Sequence, residues 1–174
     1  GCRRSCGCSP WGRRMSVLAT HRAAVVAALQ SVSEIGIVHD RERYVDGNAS
    51  FSAMYLYTPV NGQPHIRGWS LRRSSTREYS PNLQRHINEH TWTVRGYLAF
   101  NDAMASELVL DDLVEQFRAV VRADPTLGGT CQPGPLASRD DGTDGVQVTD
   151  SGPVFFAGVL CNSVVLQLRT WSYL

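Results

Sequence analysis

Apolar residues recur along the chain with two different periods, and the switches between them outline the fold. Near the start the spacing is helical over 20–32: Leu18, Val25, Leu29 and Val32 fall at i, i+7, i+11 and i+14, and Gly36 follows as a stop. Residues 35–44 then read as a strand. Residues 52–58, rich in aromatics and closed by Pro59 and Asn61-Gly62, read as another. Over 91–100 the period is two, with Trp92, Val94, Gly96 and Leu98 alternating with Thr91, Thr93, Arg95 and Tyr97. The strongest stripe lies over 103–123, where Leu110, Leu113, Val114, Phe117, Val120 and Val121 recur at helical spacing. Acids sit in its first turns and Arg118 and Arg122 near its end, as the helix dipole favours, and Asp124-Pro125 ends it. Residues 127–144 are loop-like. A short strand over 146–149 or 154–159 and a longer one over 163–173 close the chain. The fold class predicted is α+β: a mainly antiparallel sheet packed against two α-helices, with a protruding hairpin or long loop. Its core should place Leu110, Leu113, Phe117, Val120 and Val121 against Trp92, Val94 and Leu98.

The length, 174 residues, suits one domain, and 43% apolar composition excludes a chain disordered throughout. No apolar run approaches the ~20 residues of a membrane-spanning helix. Residues 1–14, GCRRSCGCSPWGRR, have no apolar period and read as a disordered or upstream extension, leaving 15–174 as the domain. Cys2, Cys6 and Cys8 fall one short of a closed four-ligand zinc site. Cys131 and Cys161 lack CxxC spacing. A disulfide between them stays open, but two isolated cysteines without an export signal read as free thiols in a chain made inside the cell.

All 17 basic residues are Arg. They are unevenly placed: four with no acid in 1–14, nine with six acids in 15–100, four with ten acids in 101–174. A basic first half and an acidic second half suit two working faces and argue against a general nucleic-acid binder. The basic half concentrates in Arg67, Arg72, Arg73, Arg77 and Arg85, interleaved with His65, Trp69, Tyr79 and His86. Such a stretch fits an exposed hairpin. Arg and aromatics are enriched at protein interfaces, so an interface ranks before a solvated surface, and both before nucleic acid. The candidate interface is Arg67, Trp69, Arg72, Arg73 and Arg77, expected to meet an acidic partner surface, for which Asp111, Asp112 and Glu115 of an adjacent copy are one candidate.

Enzymatic patterns are weaker. His86-Ile-Asn-Glu89-His90 matches HxxEH, the inverted zinc-peptidase pattern, in which two His bind metal and the Glu is a base. The pattern needs a helix, and a strand begins at once after it, so a small metal-dependent hydrolase stands only as an alternative. Thr149-Asp-Ser-Gly-Pro153 resembles a serine-nucleophile neighbourhood but reads better as a turn. With no Lys there is neither a phosphate-binding P-loop nor a catalytic Lys.

The order of parts resembles the tail terminator proteins of long, non-contractile-tailed bacteriophages. The likeness is carried by the helix after Met15, by the passage from His90 through Thr-Trp-Thr-Val-Arg-Gly-Tyr-Leu-Ala-Phe-Asn-Asp to Ala105-Ser106-Glu107, by the helix over 113–121 ending in Asp124-Pro-Thr-Leu127, and by the closing strand over 163–173. The resemblance implies an assembly protein, not an enzyme, without catalytic residues, metal or cofactor. It implies a ring of identical subunits, usually six, at the head-proximal end of the tail tube in the virion. That ring stops tube polymerisation, meets the tail tube protein and the head-tail connector protein, and lets DNA pass without specific binding. A related tail-tube or head-completion subunit is the neighbouring reading. Residues 1–14 have no counterpart in it, and the Arg-rich stretch over 67–85 is hard to place in it.

Overall fold

In a computed structural model of the chain, residues 16–60, 62–133 and 144–174 are described. Residues 1–14 and most of the loop expected over 127–144 lie outside them. The first helix, α1 (Val17–Gln30), begins where Ser16 Oγ accepts the Ala19 N–H, and it buries His21, Val25 and Leu29 along one stripe. After Gly36 the chain enters β1 (Ile37–His39), three residues long and not the ten expected. Gly36 has φ +93°, and a Cβ there would collide with the Arg67 carbonyl, so only glycine lets the chain pass this close to the sheet.

Of the aromatic stretch expected as a strand over 52–58, only the two-residue β2 (Leu56–Tyr57) is one, and its first residues end the short helix α2 (Asn48–Ala53). Phe51 and Tyr55 lie at i, i+4, so both rings turn toward the sheet and pack edge to face, 5.6 Å between centroids. Two long strands follow, β3 (His65–Asn82) and β4 (Arg85–Ala99), then a short 3-10 turn (Asp102–Met104) and α3 (Ser106–Ala123). The chain closes with β5 (Gln147–Phe156) and β6 (Val159–Tyr173).

The strand order is β1-β3-β4-β6-β5, with β2 also pairing β3. Only the β1–β3 pair is parallel, so the fold is α+β around a mainly antiparallel sheet. The helices α1 and α3 cover one face. There Val25 and Leu29 meet Phe117, Leu113, Trp92 and Leu166, all buried. Of the core expected on α3, Leu110, Leu113, Phe117 and Val121 are buried, whereas Val120 is only partly so. A smaller cluster on the opposite face joins Phe51 and Tyr55 to Tyr97 and Phe156, whose rings stack at 3.8 Å.

Two strand readings are corrected. Asp150 to Pro153 is not a turn: it lies inside β5, and the irregularity between Val148 and Asp150 is a bulge that keeps the strand paired with β6. The turn-forming residues are tolerated because β5 is an edge strand, where proline need not donate to a neighbour. Secondly, β3 is not all protruding arm. Its first third, Ile66 to Leu71, is buried core, and only the stretch from Arg72 onward projects.

Candidate assembly interface

Two features of β3 make the arm. β1 covers only Gly68 to Ser70, so from Arg72 to Asn82 the outer edge of β3 has no strand beside it among the described residues. A bulge at Ser74 then changes which side chains face which way. Arg73 shares Trp92's face, toward the helices, while Ser75, Arg77 and Tyr79 share the opposite face with Thr91, Glu89 and Ile87. The hairpin is stitched by Ser74 Oγ to Thr93 Oγ1 and by Ser80 Oγ to His86 Nδ1, 2.8 Å. At its tip Leu83 is fully exposed.

The expected interface residues divide. Arg72, Arg73 and Arg77 are exposed on the arm. Arg72 and Arg95 share Glu42, each at 3.8 Å, a pairing of well under ~1 kcal/mol at such exposure. Arg73 and Arg77 have no carboxylate partner among the described residues. Arg77 lies 5.8 Å from the Tyr79 ring, and Arg85 lies 4.9 Å from Tyr173.

Arg67 and Trp69 are corrected: both are buried and neither lies on the arm. Trp69 faces α1 and α3 with its indole N–H donating to the Ile35 carbonyl, 2.8 Å. Its ring crosses Gly96, its partner on β4, which has no Cβ to obstruct it. Arg67 donates to the Glu34 carbonyl at 2.9 Å, keeps the Glu34 carboxylate at 3.8 Å and lies over the Tyr57 ring. A buried guanidinium needs such partners, and these are local to the chain.

On α3, Asp111, Asp112 and Glu115 are exposed as expected. Glu115 is held by Arg118 at 2.6 Å and Arg122 at 4.0 Å, whereas Asp111 and Asp112 have no ion pair among the described residues. Among the described residues no ion pair joins the arm to these acids.

The HxxEH residues do not converge. They lie on β4, where alternation sends His86 and His90 to one face and Glu89 to the other. His86 is exposed at the arm, while His90 is 1% exposed and bonded through Nδ1 to Thr76 Oγ1, 2.9 Å. Among the described residues no three His, Cys, Asp or Glu side chains are placed to hold a metal.

What the motif did locate is half of a buried polar network whose other half, His21, sequence reasoning missed. Its signal was available, since His21 precedes Val25 by one turn on α1's buried stripe. The two imidazoles meet edge to face at 5.5 Å. Trp92 donates its indole N–H to Thr170 Oγ1 at 2.8 Å, which leaves the Thr170 proton free for His21 Nδ1 at 3.0 Å. Burial lowers the pKa of His21, against a smaller raising effect of the Thr130 backbone. Burial, then the neighbouring His21 and Arg73, pushes His90 down to about 4. Both rings are therefore neutral at pH 7.

Cys131 and Cys161 are free and buried, and burial pushes each thiol up to about 11. Among the described residues no helix is long and apolar enough to cross a membrane. No protein-family model and no curated protein sequence matches the chain.

Proposed function

We propose that the chain is a structural subunit of a phage tail, a tail terminator that forms a ring at the head-proximal end of the tube. The observation that carries this reading is the β3–β4 arm. It has an open strand edge, exposed Arg73 and Arg77 without carboxylate partners among the described residues, and a fully exposed leucine at its tip. An arm of that kind is a surface in want of a protein partner. The order of elements supports the terminator reading: a helix, a long-stranded antiparallel sheet, an amphipathic helix after the central hairpin, and a long closing strand. So does the contrast between a basic arm and the acids of α3, which gives the molecule two chemically different surfaces.

In this role the chain has a ring channel for DNA, one surface for the tail tube protein and one for the head-tail connector protein, and it works in the virion. The test is disruption of its gene in the phage that carries it. The expected particles have abnormally long tails that do not join heads. Particles with no tails at all identify a tube subunit instead, and normal, joined tails contradict a tail role.

A further inference from the structure

Arg67 has one donor left over. Its Nη1 reaches the Glu34 carbonyl, while the Glu34 carboxylate stands 3.8 Å away, too far for a hydrogen bond. Arg67 is 6% exposed, and its Nε is buried without a hydrogen-bond partner among the described residues. A buried cationic donor in that condition is costly, and an acceptor that reaches it is correspondingly favoured.

The same residue lines a groove of about 460 Å³ at the head of α3, between the 62–65 loop, the end of β4 and the 3-10 turn. A second buried donor lines it too. Ser106 Oγ accepts from the Asn101 N–H and from Asn162 Nδ2, 2.9 Å each, and its own proton has no acceptor among the described residues. Ser106 opens α3, whose N-terminus carries no side-chain cap, so the positive end of the helix dipole lies at this wall. The described residues that line the groove include no carboxylate. Opposite these donors in character are Leu98, Phe100, Met104 and Val109, of which Phe100 and Met104 are about half exposed.

We propose that this groove captures the C-terminus of a partner chain. The α-carboxylate accepts from Arg67 Nε and Ser106 Oγ, and a large apolar last side chain lies against Leu98, Phe100, Met104 and Val109. Donors without acceptors select an anion, and the apolar wall selects one that carries hydrocarbon; capture of a terminal carboxylate is a recurring mode of peptide recognition. The volume is near the small end of the roughly 300–1,000 Å³ of ligand sites, room for one terminal residue and little more. Gln63 and Asn101 line the groove as well, and the last peptide group gives their amides partners that a free alkyl acid does not. The inference stands apart from the tail role and from the arm.

NMR on the isotope-labelled full chain tests it, following the Arg67 Nε–H and the Val109 amide during titration. The probes are N-acetyl-leucine, its uncharged amide N-acetylleucinamide, acetate and octanoate. N-acetyl-leucine should shift both signals to saturation. The amide keeps the side chain without the charge, and acetate the charge without the side chain. Each should bind about tenfold more weakly or worse, the effect of losing one charge-assisted hydrogen bond or one apolar side chain. Met104→Glu puts a like charge at a half-exposed position, and it should abolish binding while the rest of the spectrum stays as in wild type. Arg67→Gln should weaken N-acetyl-leucine and leave the amide unchanged, and Met104→Glu carries the test if the Arg67 variant does not fold. An Arg67 Nε–H that no probe shifts means that only water meets it, and the site is wrong. It is also wrong if acid and amide bind equally or if Met104→Glu binds as wild type does. Octanoate binding as tightly as N-acetyl-leucine overturns the chain terminus as occupant in favour of a free acid.

Discussion

The buried pair His21–His90 makes stability depend on pH in a window where few other groups titrate. Each ring is 1% exposed and packed against the other. The charged groups nearby are cations: Arg73 on β3 acts on His90, and Arg22 of α1 lies over Trp92 at 5.4 Å. A proton added to either imidazole is thus buried beside like charge. In the unfolded chain a histidine titrates near ~6.5, whereas folded His90 titrates at about 4. The folded value is depressed, so the unfolded state binds protons more readily. Stability is full above the unfolded pKa and is lost as pH falls from there through the folded value. Linkage over that interval gives a loss of roughly 2 kcal/mol for His90 alone between pH 7.5 and 5, growing to about 3 kcal/mol below pH 4. His21, also shifted down, adds to it in the same direction. Urea unfolding of the full chain at pH 7.5, 6.5, 5.5 and 5 reads this directly, before ordinary carboxylates begin to protonate. His90→Gln should flatten the profile by at least half. A midpoint that stays constant from pH 7.5 to 5 in the wild type would refute the reasoning, because two neutral buried imidazoles cannot be indifferent to protons.

Three further outcomes follow from the packing. Gly96→Ala places a Cβ 2.6 and 2.7 Å from Trp69 Cε3 and Cη2, and the ring is held by its bond to Ile35. The cost should be about 1–3 kcal/mol by chemical denaturation, where a glycine-to-alanine change at an unhindered site stabilises. Phe117→Ala empties the centre of the helix–sheet contact, where Phe117 has no exposed surface, and should cost on the order of 3–5 kcal/mol in the same assay. Cys131 and Cys161, buried and with thiols pushed up to about 11, should resist maleimide in the native chain and react once it is unfolded. Peptide mapping separates them from Cys2, Cys6 and Cys8, and native labelling of both would contradict their burial.

Where one face of an element carries its burial alone, the pattern was readable. α3 shows Leu110, Leu113, Phe117 and Val121 at helical spacing, and β4 from Trp92 to Leu98 alternates cleanly because one side faces the helices. The arm was harder. Arg85 to Thr91 carries no apolar alternation to betray a strand, and it is one because β3 and β6 pair with it on both sides. Arg67 hid the buried start of β3: a charge that would ordinarily mark a surface is compensated by Glu34, thirty-three residues earlier, which no local pattern reveals. In β5 the Asp-Ser-Gly-Pro run imitates a turn, and only the ladder to β6 carries the strand through it. That something protrudes after the start of β3 was suggested by the Arg cluster, but the arm's extent and its tip at Leu83 were not.

The central claim is a place in the particle, and immunogold electron microscopy of virions with antibody raised against the purified chain tests it most directly. The account predicts gold at the junction of head and tail, one focus per particle. Label spread along the tail, confined to its far tip, or absent from assembled particles would contradict it.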